Sequence, residues 1–240
     1  MTHNGPRLLL TGEHDCPYLE GRRARNLVVE PGAVRNSRHH TEFSRIGFRR
    51  SGEFLYRPHC AGCNACTPAR VPVAEFQWRR RHRRCWRANA DLRGQEGPVE
   101  FSEEAFELYQ RYQQERHAGG PMLAIDETDY LSFMEADWAD NRMVEFFLEG
   151  RRVAVMVMDG LGDGLSAVYS FYEPQLSRRA LGRFTVLWLI EQARQRHLPY
   201  VYLGYWIPGC RKMAYKTDFL PIELRLGNRW VPHSEPPDPG

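Results

Sequence analysis

Residues 153–172 read VAVMVMDGLGDGLSAVYSFY. Two apolar runs flank a glycine-rich break, which predicts two antiparallel strands joined by a loose turn. Upstream, RMVEFFLEG (142–150) reads as a further strand. Downstream, LGRFTVLWLIEQARQRHLP (181–199) predicts an amphipathic helix running up to Pro199, with Leu187, Ile190 and Ala193 or Arg194 on successive turns. YVYLGYW (200–206) is the next strand. Ahead of all this, FSEEAFELYQRYQQERH (101–117) places Phe106, Tyr109, Tyr112 and Gln113 near a period of 3.6, with Ser102 at the start. DETDYLSFMEADW (126–138) predicts a second helix capped near Asp126 or Thr128. The order is helix, helix, strand, hairpin, helix, strand.

The first part of the chain reads differently. NLVVEP (26–31) predicts a strand ending at Pro31, residues 35–57 predict turns and short strands, and RVPVAEFQW (70–78) predicts a strand. Residues 79–92 lack Gly and Pro and predict a helix, and GQEGP (94–98) predicts a linker. The tail SEPPDPG (234–240) reads as frayed. The expected fold class is α+β, divided into a Cys- and Arg-rich domain over 1–95 and a second domain over 96–240.

A chain of 240 residues with 42% hydrophobic content is long enough for a substantial core. No window approaches the roughly 18 apolar residues of a membrane helix, and the run Leu8–Leu10 is too short for a signal peptide. Six cysteines without an export signal then read as reduced thiols in the cytoplasm. The net charge is only +3, but residues 78–90 hold six arginines and no acid. That asymmetry points to a polyanionic partner on one face.

The element order after residue 100 resembles the GNAT acyltransferase fold, in which a central strand splays from its neighbour and an acyl donor lies in the gap. Members that use acetyl-CoA cradle its pyrophosphate on small residues opening a helix. The corresponding stretch here is RALGRF, with Phe184 where a small residue is needed. Phe184 is expected to crowd the backbone donors, which argues against CoA. The bland alternative is that LGRF merely starts a helix.

Four blocks together carry a more specific resemblance: DCPYLEGRRARN (15–26), FSRIGFRRSGEFLYRPHCAGCNACTPARVPVAEFQWRRRHRR (43–84), SAVYSFYEPQLSRRALGRFTVLWLIEQAR (166–194) and YVYLGYWIPGCRKMAYKTDFLPIEL (200–224). They resemble the arginyl-tRNA–protein transferase family. The short form with C-x2-C-x2-C resembles its bacterial branch, the aspartate/glutamate leucyltransferases. The resemblance implies that leucine moves from leucyl-tRNA to the α-amine of proteins beginning with Asp or Glu, marking them for N-end rule degradation. It also implies a GNAT-like second domain. Two other readings stay open: arginyl-tRNA as donor, with Asp159, Asp163 or Glu191 facing the arginine, and a metal-containing RNA-binding module without catalysis.

Such a transfer needs alignment of amine and ester, a hold on the oxyanion, and a base. Glu173 is the expected base, and Tyr169 and Tyr172 are expected to line the slot or else to serve as core aromatics. The acceptor's acidic side chain needs cations. GCRKMAYKTDF (209–219) offers Arg211, Lys212 and Lys216, with Tyr215 between them, or reads as a solvated basic loop. Arg49 and Arg50 in GFRRSG are further candidates to bind the substrate, at the acceptor end of the tRNA. Arg79, Arg80, Arg81, Arg83 and Arg84 are expected to bind tRNA phosphates, while Trp78 and Trp86 read as packing residues.

Cys60, Cys63 and Cys66 follow each other at C-x2-C-x2-C, with Pro68 just after and Cys16 as a candidate fourth ligand. The spacing suits an iron–sulfur cluster or zinc, or else these are metal-free thiols. The chemistry itself needs no cofactor beyond the aminoacyl-tRNA donor.

Overall fold

The computed structural model describes residues 6–34, 36–116 and 119–233; the tail read as frayed lies outside them. Among the described residues, fourteen strands and five α-helices make a mixed α/β fold. The strands are β1 (Leu8–Leu10), β2 (His14–Asp15), β3 (Arg23–Ala24), β4 (Asn26–Val29), β5 (Arg49–Ser51), β6 (Phe54–Pro58), β7 (Thr67–Pro72), β8 (Arg93–Gly97), β9 (Asp140–Leu148), β10 (Arg151–Leu161), β11 (Gly164–Tyr172), β12 (Tyr200–Trp206), β13 (Ile222–Leu226) and β14 (Arg229–His233). The helices are α1 (Ser37–Arg45), α2 (Arg80–Arg87), α3 (Glu103–Arg116), α4 (Glu127–Met134) and α5 (Leu181–Gln195).

One sheet has eight strands in the order β14-β13-β7-β12-β11-β10-β9-β8, and a second has four in the order β1-β4-β6-β5. The large sheet draws on both sides of residue 95, because β7 lies between β13 and β12.

Strand β10 shows why the long apolar run 153–161 becomes a central strand. Side chains alternate across a strand, so Ala154, Met156 and Met158 face one side and Val155 and Val157 the other. The first set packs with Leu187 and Ile190 of α5, the second with Leu108 and Tyr109 of α3 and Tyr130 and Met134 of α4. A strand covered on both faces needs a continuous apolar run rather than alternation. Asp126 caps α4, its Oδ1 accepting from the Asp129 amide at 2.8 Å.

Two expectations are overturned. Within 35–57 the expected short strands are β5 and β6, but the chain first forms α1, capped by the Asn36 side chain, which accepts from the His39 amide at 3.0 Å. The helix buries His40, Thr41 and Ser44, so it carries no apolar stripe for periodicity to find. The segment 94–98 is not a linker: β8 pairs with β9 as the sheet edge, Arg93 opposite Phe147 and Gly97 opposite Met143. Its glycines hid it, and an edge strand has little to bury.

The small sheet is docked firmly. Arg50 of β5 sends its guanidinium into the interior, where Nε and Nη2 donate to the Asp159 carboxylate at 2.8 Å each. Nη2 also donates to the Met134 carbonyl at 2.9 Å. His40 lies beside the same carboxylate at 3.8 Å.

Candidate functional site

The parallel pairing of β11 with β12 lasts only three residues, Gly164 opposite Tyr200 to Ser166 opposite Tyr202. Beyond that the two strands part, while β12 keeps its pairing with β7 up to Trp206 opposite Thr67. The wedge is filled from the small sheet. Arg49 neighbours Arg50 on β5 and therefore points the other way. Its Nη2 donates to the Val168 carbonyl of β11. On the opposite wall is Gly204 of β12, at φ +75°, where a Cβ would meet the Arg49 guanidinium at 3.0–3.2 Å. Glycine is required there both for the backbone and for the close approach.

Lys216 completes the centre. It is 2% exposed, and its Nζ donates to the Tyr205 carbonyl and to Met213 Sδ. Burial pushes its ammonium well below the ordinary lysine value, and the Arg49 charge pushes the same way. Among the described residues, neither Arg49 nor Lys216 is paired with a carboxylate. Phenols surround the pair instead: Tyr18, Tyr56, Tyr205 and Tyr215 are the groups acting on Arg49. Tyr205 donates from its hydroxyl towards the carbonyls of Gly47 and Tyr56, both at 3.0 Å.

The other expected site residues fall in different places. Tyr169 is near the wedge, and its hydroxyl accepts from Gln113 Nε2 at 2.6 Å; burial raises its pKa to about 12, against the effect of Arg49. Tyr172 lies further along β11, its ring 4.9 Å from that of Tyr112. Glu173 is buried at the strand's end with its Oε2 engaged by Arg151 at 2.7 Å and Arg111 at 3.6 Å. Arg50 is held inside the core by Asp159, away from the wedge. Arg211 and Lys212 are exposed on the turn after β12, and Tyr215 is half-exposed beside Lys216. The wedge thus gathers Arg49, Lys216, Tyr215 and Tyr169. Tyr18, Tyr56, Tyr205 and Gln113 went unnoticed in the sequence. Gly204, a glycine inside a strand pattern, was the available signal.

Phe184 does not crowd the start of α5. Its ring is 4% exposed and packs in the core, 5.5 Å from Trp86 and 5.3 Å from Phe146. The group in the way is Tyr172: a Cβ at Gly182 would lie 2.8 Å from its ring. An aromatic ring over the first helical turn closes the approach a pyrophosphate needs.

Along α2, Arg79, Arg80, Arg83, Arg84 and Arg87 are exposed. Arg81 instead pairs with Asp218 at 2.9 Å, and buried His82 bonds the Asp218 carbonyl through Nε2 at 2.9 Å. Trp78 and Trp86 pack edge to face at 5.4 Å against the core. One side of the helix is therefore anchored and the other is a band of arginines.

No disulfide joins any of the six cysteines, all of which lie in the described residues. Burial lifts the Cys66 thiol to about 12, with Cys16, Cys60, Cys63 and Cys210 adding to the effect. Cys63 is drawn down by a bond to the Ala65 backbone and by Arg22, whose Nη1 lies 3.3 Å from its sulfur. Among the described residues no group of three or more His, Cys, Asp or Glu is arranged to hold a metal ion. Two of the thiols lie at the end of β12, where Cys66, Tyr18 and Tyr56 pack against Tyr205 and Cys210. No described helix is long and apolar enough to cross a membrane.

Comparison with known proteins agrees with the sequence motifs. Residues 14–84 match the family model for the N terminus of arginine-tRNA-protein transferases, and residues 104–226 match the model for the C terminus. An aspartate/glutamate leucyltransferase of Alcanivorax borkumensis is 47% identical, covering 98% of this chain and 97% of its own. One from Pseudomonas fluorescens is 48% identical over 92% of this chain and 94% of its own. The solved structure of L-PGS from Bacillus licheniformis is similar at a TM-score of 0.45 and 14% identity, covering 65% of this chain and 57% of that one. With both halves matched and relatives of this identity aligned from end to end, the chain belongs to the arginine-tRNA-protein transferase family.

Proposed function

We propose that this chain moves leucine from leucyl-tRNA to the α-amine of proteins beginning with Asp or Glu, in the cytoplasm, marking them for N-end rule degradation. The carrying observation is the pair Arg49, half-buried in the wedge, and the buried Lys216, which have no carboxylate partner among the described residues. A carboxylate entering beside them favours the charged form of Lys216 and receives charge-assisted bonds. An acidic first residue on the acceptor fits that requirement. The splay of β11 from β12 supports a GNAT-like arrangement, with the ester donor in the gap.

The chemistry balances without a cofactor. The acceptor amine has a pKa of roughly 7.7–8.0 and is partly neutral near pH 7. It attacks the ester carbonyl, the C–N bond forms, the C–O bond to the ribose breaks, and the ribose hydroxyl leaves with a proton. Holding both reactants in the wedge supplies most of the help such a step needs.

Leucine is favoured over arginine as donor by what the candidate acids do. Asp159 holds Arg50, Asp163 holds Arg45 at 2.7 Å, and Glu191 holds Arg194 at 2.6 Å. None is left to receive a donor guanidinium.

The test is incubation with labelled leucyl- or arginyl-tRNA and peptides starting with Asp, Glu, Lys or Arg. Label is expected only from leucyl-tRNA and only on Asp and Glu peptides; transfer to Lys or Arg peptides would sink the reading. The exposed arginines of α2 suit the tRNA backbone. Leucyl-tRNA binding is expected to fall steeply with salt, and R80Q, R83Q and R84Q each to lower the log–log salt slope by about one. An unchanged slope in the triple variant would move the tRNA elsewhere.

A further inference from the structure

Beside the wedge lies a cavity of about 560 Å³ that the acceptor site does not use. Tyr18, Tyr56 and Tyr205 are among the residues that line it. These are the same phenols that surround Arg49, so the cavity and the wedge share a partition. The rest of the wall comes mainly from the small sheet and its edges: Leu9, Leu10, Val28, Phe54 and Pro58. Leu9, Leu10 and Phe54 are 46–49% exposed. Apolar side chains left in water around a hollow mark a place something apolar covers.

The wall's chemistry narrows the occupant. No Asp, Glu, Lys or Arg lines the cavity among the described residues. A guanidinium or carboxylate entering it would lose its hydration without an opposite charge, which is costly. An aliphatic side chain gains by the same move. The cavity also holds more than a leucine side chain fills, and its lining includes Thr11, His14 and Asn26. Those polar groups suit the nucleoside to which the amino acid is esterified.

We propose that this cavity receives the aminoacyl end of the donor, with the leucine side chain against Leu10, Val28 and Phe54, and that its uncharged wall sets the donor specificity. The proposal rests on the leucyl-transfer reading above. It makes the small sheet a substrate-binding element: Arg49 pairs with Tyr56 and Ser51 with Phe54, so Arg49 and the cavity lining share one face of β5 and β6, which serves both substrates. The ester carbonyl then emerges at Tyr56 and Tyr205, next to the acceptor's place at Arg49 and Lys216.

One tRNA charged in turn with leucine, methionine, arginine and glutamate tests the specificity on the wild-type chain. Leucine and methionine are expected to transfer, arginine and glutamate to fall at least tenfold behind. Leu10→Asp puts a charge on the wall at an exposed position, and Val28→Trp fills the hollow. Each is expected to raise KM for leucyl-tRNA about tenfold or more while KM for the Asp peptide stays constant, with circular dichroism establishing the folded state. Unchanged donor KM in both folded variants, with leucine still transferred by the wild type, overturns the cavity and leaves the proposed function standing. If the wild type transfers no leucine, the function itself fails and takes the cavity assignment with it.

Discussion

Lys216→Met is expected to cut transfer to Asp and Glu peptides by about 100-fold or more while leaving leucyl-tRNA binding in place. Truncating one partner of a buried, hydrogen-bonded charge pair costs about 2–5 kcal/mol, which spans roughly 30- to several-thousand-fold. The loss should appear in the acceptor KM and in kcat together, because the acceptor carboxylate is what aligns the amine. Stability should move the other way. A lysine held below its ordinary value binds fewer protons folded than unfolded, so the wild type is penalised at neutral pH. That penalty shrinks as pH rises towards the lysine's unfolded value near 10.5. The variant's advantage in thermal unfolding should therefore narrow between pH 7 and pH 10. Lys212→Met, on the exposed turn, should do much less. Full transfer by a folded Lys216→Met chain would remove Lys216 from the acceptor pocket.

The second large effect is on folding. Asp159→Ala is expected to destabilise the chain by about 3–5 kcal/mol, because it strands the Arg50 guanidinium in the core. Both side chains are almost fully buried, at 1% and 0% exposed. The paired replacement Arg50→Met with Asp159→Leu should recover most of that loss, since an apolar pair of similar volume avoids the desolvation of both ions. Chemical denaturation of the wild type and the two variants measures it; equal stability of the single and double variants would show that the ion pair is not what holds the small sheet. The neighbouring His40 adds a pH dependence. Burial holds its pKa down at about 4 from 6.5, so the unfolded chain binds the proton first as pH falls. Stability present above pH 6.5 should be lost progressively down to about pH 4, by about 3 kcal/mol in all. His40→Gln should flatten that part of the profile.

Much of the second half was legible in the sequence. Runs such as 153–161 and 181–195 bury both faces of a strand or one face of a helix, and burial of that kind leaves a period in the residues. Helix α1 left none, because it buries His40, Thr41 and Ser44 through polar contacts, and β8 left none, because an edge strand of glycines and charges buries little. The list of site candidates was legible by residue type, but its members were not separable. Arg49 and Arg50 are adjacent and chemically equal in the sequence.

Residue order and chemistry by themselves determined the element sequence after residue 100, the basic helix, the family and the cations available to an acidic acceptor. Only the tertiary structure decided which cation goes where. Alternation along β5 sends Arg50 to Asp159 in the core and Arg49 into the wedge, and Gly204, 155 positions further on, leaves the room. Lys216 matters because folding removes it from water beside Arg49 with no carboxylate partner among the described residues. Those are consequences of burial and of contacts between residues far apart in the chain, and a local pattern does not record them.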